Sequence, residues 1–170
     1  VEIGIAASSG VAEPLCSQLP RITIFGTGDE LVPVDHTPGP FQIRQSNLYA
    51  VENALASAGF PAGCATTLTD DITTERKTLA AAIETNDVII LSGAVSRGRL
   101  DWIPQALEEL AERIFHGVVQ RPGKPLGFWK TERGTAIFGL PGNPVSTLVA
   151  AHRYVLPYLR ACAGMGEQFR

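Results

Sequence analysis

Apolar positions along this chain fall into two kinds of run. Six runs are short and nearly unbroken, as strands are: "RITIFG" (Arg21–Gly26), "FPAGCATTL" from Phe60, "DVIILSG" (Asp87–Gly93), "IFHGVVQ" from Ile114, "LGFWK" from Leu126 and "TAIFGL" from Thr135. Between them apolar residues recur at helical spacing. "SNLYAVENALASA" (Ser46–Ala58) predicts a helix with Ser46 as N-cap and Gly59 as its stop. Asp70 and Asp71 precede a helix from Ile72 to Thr85, and Asp101 opens another that runs to Glu112. The last helix is expected from Pro144 to Ala163, where Val145, Leu148, Val149, His152, Val155, Leu156 and Leu159 form one stripe. The order is βαβαβαβββα. Alternation early in the chain, a hairpin-like run late, and an almost wholly apolar "VIILS" predict an α/β fold. Its form is three-layer, with a mixed, mainly parallel sheet and helices on both faces.

Composition narrows this. The chain has 170 residues, expected to form one domain over 1–170. Hydrophobic residues make up 45% and charged ones 18%, below the roughly 25% usual for soluble domains. A sheet covered on both faces accounts for that, and so does a surface meant for a partner. The net charge of −3 provides no electrostatic footprint for nucleic acid. Cys16, Cys64 and Cys162 are odd in number and widely spaced, so neither a disulfide framework nor a zinc site is indicated. A reducing, cytoplasmic setting fits. No apolar run approaches the ~20 residues of a membrane span. The first residues lack the basic and apolar regions of a signal peptide. With no initiator methionine, the chain is read as a piece excised from a longer protein.

Candidate chemistry collects in four loops that follow strands. "GTGDE" follows the first, "TDD" the second, "SGAVSRGRLD" the third and "GLPGNP" the last. In open α/β sheets, ligands bind beyond the carboxyl ends of the strands. Each loop also has a plain structural reading. Asn143 can cap the last helix with Pro144 at its first position, and the outward N–H groups there can equally bind an anion. Gly26 and Gly28 suit a close approach of backbone to ligand or an ordinary strand-to-helix turn. Ser92, Gly93, Ser96 and Gly98 look like a phosphate cradle but match no P-loop. Arg97 and Arg99 can hold an anion or stand in solvent. Lys124, in "RPGKP", is held in a Pro-Gly turn. His116, Trp102 and Trp129 are read as packing residues. Glu30, Asp70 and Asp101 form the notable set: three carboxylates on three loops at one expected edge, suited to Mg2+ shared with a phosphate ester.

In this order and spacing, "TGDEL", "DD" before a helix, "SGxVSxGxxD", "PGKP" and "FGLPGNPVS" resemble one family. It is the molybdopterin-binding domain of molybdopterin molybdenumtransferase, the bacterial relative of the gephyrin E domain. The resemblance covers nearly the whole chain. It implies molybdenum cofactor biosynthesis: adenylylated molybdopterin and molybdate as substrates, cleavage of the adenylate, molybdenum left on the dithiolene, and a divalent cation assisting. It implies metal-holding, catalytic roles for Glu30, Asp70 and Asp101. Pterin-binding roles fall along the same motifs, on Thr27, Gly28, Asp29, Ser46, Ser92, Gly93, Ser96, Arg121, Lys124, Pro141, Gly142, Asn143, Pro144 and Ser146. It further implies a homodimer of the full-length protein, with part of the site supplied by a second subunit. The chain departs from the family pattern at Gln45, where an aspartate is usual, at Ala94, where glycine is usual, and at Gly117, where lysine is common. These departures favour an alternative, a non-catalytic binding or scaffold module. A nucleotide pyrophosphatase-like domain of the competence-damage type is a further reading that shares the fold.

Overall fold

The computed structural model describes residues 2–28, 30–69, 71–93 and 102–165. One six-stranded sheet organises them. Its strands are β1 (Ile22–Gly26), β4 (Cys64–Thr67), β5 (Val88–Ser92), β6 (Glu112–His116), β7 (Gly127–Lys130) and β8 (Ala136–Leu140), in spatial order β4-β1-β5-β8-β7-β6. The first four in that order are mutually parallel, while β7 and β6 are antiparallel to their neighbours. The mixed, mainly parallel sheet is therefore as the hydrophobic pattern implied. β1, β5 and β8 are buried at every position, because helices cover both faces.

The two faces are read directly from alternation along the strands. Ile22, Ile24, Val88, Ile90, Phe138 and Leu140 point to one side. There they meet Leu48, Val51 and Leu55 of α2 (Asn47–Ser57) and Val155, Leu156 and Leu159 of the C-terminal helix. Phe25, Ile89, Leu91 and Ile137 point to the other side, against Leu79 and Ile83 of α3 (Ile72–Thr85) and Ile103 and Leu107 of α4 (Trp102–Leu110). Trp129, wholly buried, belongs to this second core.

Three features differ from the sequence reading. A short helix, α1 (Glu2–Ser8), precedes the first strand and buries none of its residues. The Pro/Gly-rich segment after the first strand, "LVPVDHTPGPFQ", is closed by a two-stranded parallel ladder of β2 (Leu31–Val32) and β3 (Ile43–Arg44), too short to show a period. The C-terminal helix is not uniform: α5 (Pro144–Ala150) runs into a π-helical turn (Ala151–Val155) and then α6 (Leu156–Cys162). Pro157 explains the interruption. It has no N–H to give, and its ring crowds the carbonyl of Arg153. The wide turn answers with a bond from Leu156 N–H to the Ala151 carbonyl. Among the described residues, no helix is long and apolar enough to cross a membrane.

Candidate functional site at the carboxyl edge of the sheet

Strand register places the loops. Gly26 pairs with Thr67 on one side and Ser92 on the other, and Ser92 pairs with Leu140. The loops after β1, β4, β5 and β8 thus leave the same edge of the sheet. β7 runs the opposite way and pairs Gly127 with Gly139, so the β6–β7 connection, with Arg121 and Lys124, reaches that edge from its other side.

Backbone contacts bind the loops to each other. Thr27 donates its N–H (2.9 Å) and its hydroxyl (3.1 Å) to the Ser92 carbonyl. Gly93 N–H donates to the Leu140 carbonyl (3.1 Å). A Cβ on Gly142 would stand 3.7 Å from the Gly93 Cα, and one on Gly93 would strike the Thr27 carbonyl and hydroxyl. Gly28, Gly93 and Gly142 therefore belong to one cluster of loops.

The last helix starts from this cluster as the "GLPGNP" chemistry requires. Asn143 is extended (φ −68°, ψ 127°), and its carboxamide oxygen accepts from Ser146 N–H (3.2 Å), with Pro144 in the first turn. Pro141 and Ser146 are buried, while Gly142, Asn143 and Pro144 are exposed. Ser46 occupies the N-cap position of α2 but makes no side-chain cap bond. Instead the preceding residue, Gln45, reaches Leu48 N–H with its carboxamide oxygen, at a long 3.5 Å. Gln45 is buried (4% exposed) and lies against Gly26, in space a Cβ would need; its amide also donates to the Thr67 hydroxyl (3.4 Å).

Of the three candidate carboxylates, Glu30 is described and exposed, folded back over Gly28 so that a Cβ there would lie 2.7 Å from Oε2. Asp70 and Asp101 lie outside the described residues, as do Asp29, Ser96, Ala94, Arg97, Gly98 and Arg99. Among the described residues no three His, Cys, Asp or Glu side chains group closely enough to hold a metal ion. Asp71 caps α3, accepting from Thr74 N–H (3.3 Å) and hydroxyl (2.6 Å). Those bonds hold its carboxyl below the usual carboxylate range.

Three residues of the edge were not singled out from sequence. Glu75, 7% exposed, accepts from both the N–H (2.7 Å) and the hydroxyl (2.8 Å) of Thr69, fixing the loop after β4. Its position one turn into the helix after "TDD" was the available signal. Asn47 donates its amide to the Gly142 carbonyl (2.7 Å), tying α2 to the last loop. Thr147, wholly buried, donates its hydroxyl to the Pro141 carbonyl. Two buried oxygens, Ser92 Oγ and Asn47 Oδ1, have no hydrogen-bond partner among the described residues. Strand alternation turns Ser92 toward the α2 and α5 face, in one row with Gly26 and Leu140.

A hollow of about 800 Å³ elsewhere is lined by Glu84, Glu108, Glu109, Lys130 and Arg133. It lies at the opposite edge, beside the β7–β8 turn. Four of its seven charged lining residues, Glu84, Glu108, Glu109 and Arg133, are engaged in the Arg76–Glu109, Arg113–Glu108 and Arg133–Glu84 pairs, so size alone does not mark the site.

Residues 23–161 match the family model described as "Probable molybdopterin binding domain". The chain belongs to this family of molybdenum cofactor biosynthesis. It is 41% identical over 154 residues to the molybdopterin molybdenumtransferase of Synechocystis, covering 89% of this chain and 40% of that protein. The molybdopterin biosynthesis moea protein of Pyrococcus horikoshii superposes with a TM-score of 0.73 at 29% identity, over 88% of this chain and 37% of that one. The molybdopterin biosynthesis enzyme MoaB of Thermus thermophilus shares the fold alone, with a TM-score of 0.62 at 24% identity, over 86% of this chain and 98% of that one. The chain thus spans about 40% of the length of such a molybdenumtransferase relative.

Proposed function

We propose that this domain binds adenylylated molybdopterin at the carboxyl edge of its sheet and, within a longer molybdopterin molybdenumtransferase, supports molybdate insertion with loss of AMP. The observation that carries the reading is the meeting, at one edge, of the Thr27, Gly93 and Gly142 loops, the start of the last helix and the Arg121–Lys124 turn. The substrate is anionic at its phosphates. Backbone N–H groups at a helix start favour such groups, and Arg121 and Lys124, both exposed, add fixed positive charge. Ser92 Oγ, buried without a partner among the described residues, lies in the floor of the same edge.

Glu30, Asp70 and Asp101 would hold a divalent cation, Mg2+, as hard oxygen donors. When bound, the cation would neutralise charge on the phosphates as the adenylate departs. The domain's own groups bind and orient the pterin. In a homodimer of the full-length protein a second subunit would complete the site, so the isolated domain should bind molybdopterin weakly and insert little molybdenum. Asp101→Asn in the full-length protein tests the reading, since asparagine caps a helix about as well as aspartate. Losing a metal ligand should lower magnesium-dependent adenylate cleavage by about a hundredfold or more while molybdopterin affinity stays within about threefold. Unchanged cleavage with an intact fold overturns the assignment.

A further inference from the structure

The turn that carries Arg121 and Lys124 has few elements of its own to hold it. It is a ten-residue connection, 117–126, between β6 and β7, and both basic side chains are exposed. Its backbone bonds are local: Gly117 N–H to the Leu126 carbonyl (2.7 Å) and Val118 N–H to the Lys124 carbonyl (2.9 Å). Gly123 is buried against the start of the last helix, where a Cβ would stand 3.7 Å from the Ser146 carbonyl.

One side chain reaches into this turn from the fold's body. Tyr154 donates its hydroxyl to the carboxamide oxygen of Gln120 (2.9 Å). The amide of Gln120 donates in turn to the Pro122 carbonyl (2.7 Å). Because the tyrosine hydroxyl and the Pro122 carbonyl occupy opposite ends of the same carboxamide, its orientation is determined. Tyr154 itself sits in the π-helical turn, its ring packed on the α2-side core. Such turns aim side chains where a regular helix would not and recur at functional sites.

We propose that Tyr154 and Gln120 are positioning residues for the ligand site: the π turn aims Tyr154 at Gln120, and Gln120 holds the Arg121–Lys124 turn at the carboxyl edge. The inference rests on the reading above that Arg121 and Lys124 supply positive charge to the bound substrate. Tyr154→Phe removes only the hydroxyl and leaves the packed ring. In the full-length protein it should speed amide hydrogen exchange across 117–126 and weaken molybdopterin binding by about three- to tenfold, the effect of one net hydrogen bond, while exchange in β1, β5 and β8 stays unchanged. Gln120→Glu keeps the acceptor for Tyr154 and removes the donor to Pro122, so it should loosen the same turn. Arg121→Ala combined with Lys124→Ala should weaken binding, and adding Tyr154→Phe to that pair should weaken binding no further, because Tyr154 acts through the turn that carries both cations. Unchanged exchange in Tyr154→Phe, or a further loss of affinity when Tyr154→Phe is added to the paired alanine variant, overturns the inference alone. Unchanged affinity in the paired Arg121→Ala, Lys124→Ala variant overturns the reading of the site, and the inference with it.

Discussion

Replacing Gly93 by alanine tests whether the carboxyl edge is built from backbones in close contact. Gly93 has φ +99°, a region an L side chain rarely enters. Its added methyl would overlap the Thr27 carbonyl and stand 2.9 Å from the Thr27 hydroxyl. The left-handed conformation costs about 1–2 kcal/mol for a residue with a Cβ, and displacing a packed neighbour adds about 1–3 kcal/mol. Restricting the unfolded chain returns about 0.4–1 kcal/mol. The net expectation is a loss of about 1–5 kcal/mol, a large share of the ~5–15 kcal/mol that holds a typical domain. Gly142→Ala is the internal control. It touches the same loop cluster, but its Cβ would meet the Gly93 Cα at an ordinary 3.7 Å with no positive φ, so its effect should stay within about 0.5 kcal/mol. Urea denaturation followed by far-UV circular dichroism separates them: at a slope of about 2 kcal/mol per M, Gly93→Ala should lower the midpoint by about 0.5–2.5 M. Equal midpoints for the two variants would refute the reasoning.

Two further outcomes follow from side chains that hold the loops and the opposite edge. Glu75→Ala strands the Thr69 N–H and hydroxyl and should cost about 1–3 kcal/mol, read by the same denaturation, with Glu75→Gln retaining most of the stability because it still offers an acceptor. Asp87 accepts from Arg21 through its guanidinium (2.9 and 3.1 Å) and backbone N–H (2.8 Å), which holds its carboxyl below the ordinary range; a depressed carboxylate contributes stability above about pH 4 that is lost as pH falls through its folded value, so Asp87→Asn should flatten the acid limb of a midpoint-against-pH curve below about pH 4, and an unchanged limb would contradict this.

Much of the architecture was legible because strand and helix periods differ. "ITIFG" and "VIILS" read as strands buried on both faces, and they are. The stripe expected from Val145 to Leu159 holds only in its second half: Val155, Leu156 and Leu159 are buried, whereas Val145 and His152 are exposed and Ser146, Thr147, Ala150 and Ala151 face the core in their place, because the extra residue of the π turn offsets the two halves of the helix. The convergence of loops followed from parallel pairing alone, since every parallel strand delivers its C-terminal loop to the same edge. Three things were not legible, each for a physical reason. The β2–β3 ladder has two residues per strand, too few for even a two-residue period to repeat. The π turn arises from a clash between Pro157 and a carbonyl four residues back, which apolar spacing does not report. The work of Glu75, Asn47 and Gln120 depends on partners 6, 95 and 34 positions away (Thr69, Gly142 and Tyr154), and two of these distances are set only by the folded chain.

Gln45 shows how a departure from a family pattern can be weighed by surroundings. An aspartate is usual at this position in the family that the sequence resembles, so the amide first reads as a lost acidic group of the site. In the fold Gln45 is 4% exposed, wedged over Gly26, with its oxygen toward Leu48 N–H at the start of α2 and its amide toward the Thr67 hydroxyl. It forms part of the floor beneath the loops, and both ends of its amide are used. Gln45→Glu keeps the shape and introduces one buried charge. Two effects then oppose each other. The helix start favours a carboxylate by about 0.3–1 kcal/mol. Leaving a buried charge without a counter-ion costs about 3–5 kcal/mol, and no cationic side chain bonds to Gln45 among the described residues. Burial wins, so the variant should be about 2–5 kcal/mol less stable at pH 7. Its carboxyl should titrate above the ordinary glutamate range, because burial disfavours the charged form. A carboxyl with a raised folded pKa carries no deficit below the unfolded value of about 4.3 and accumulates one as pH rises from there to its folded pKa. Urea midpoints of the variant and the parent should therefore coincide near pH 4 and diverge toward pH 7. A variant as stable as the parent at pH 7 would mean that positive charge reaches this position, and that the floor beneath the loops is an acidic subsite after all.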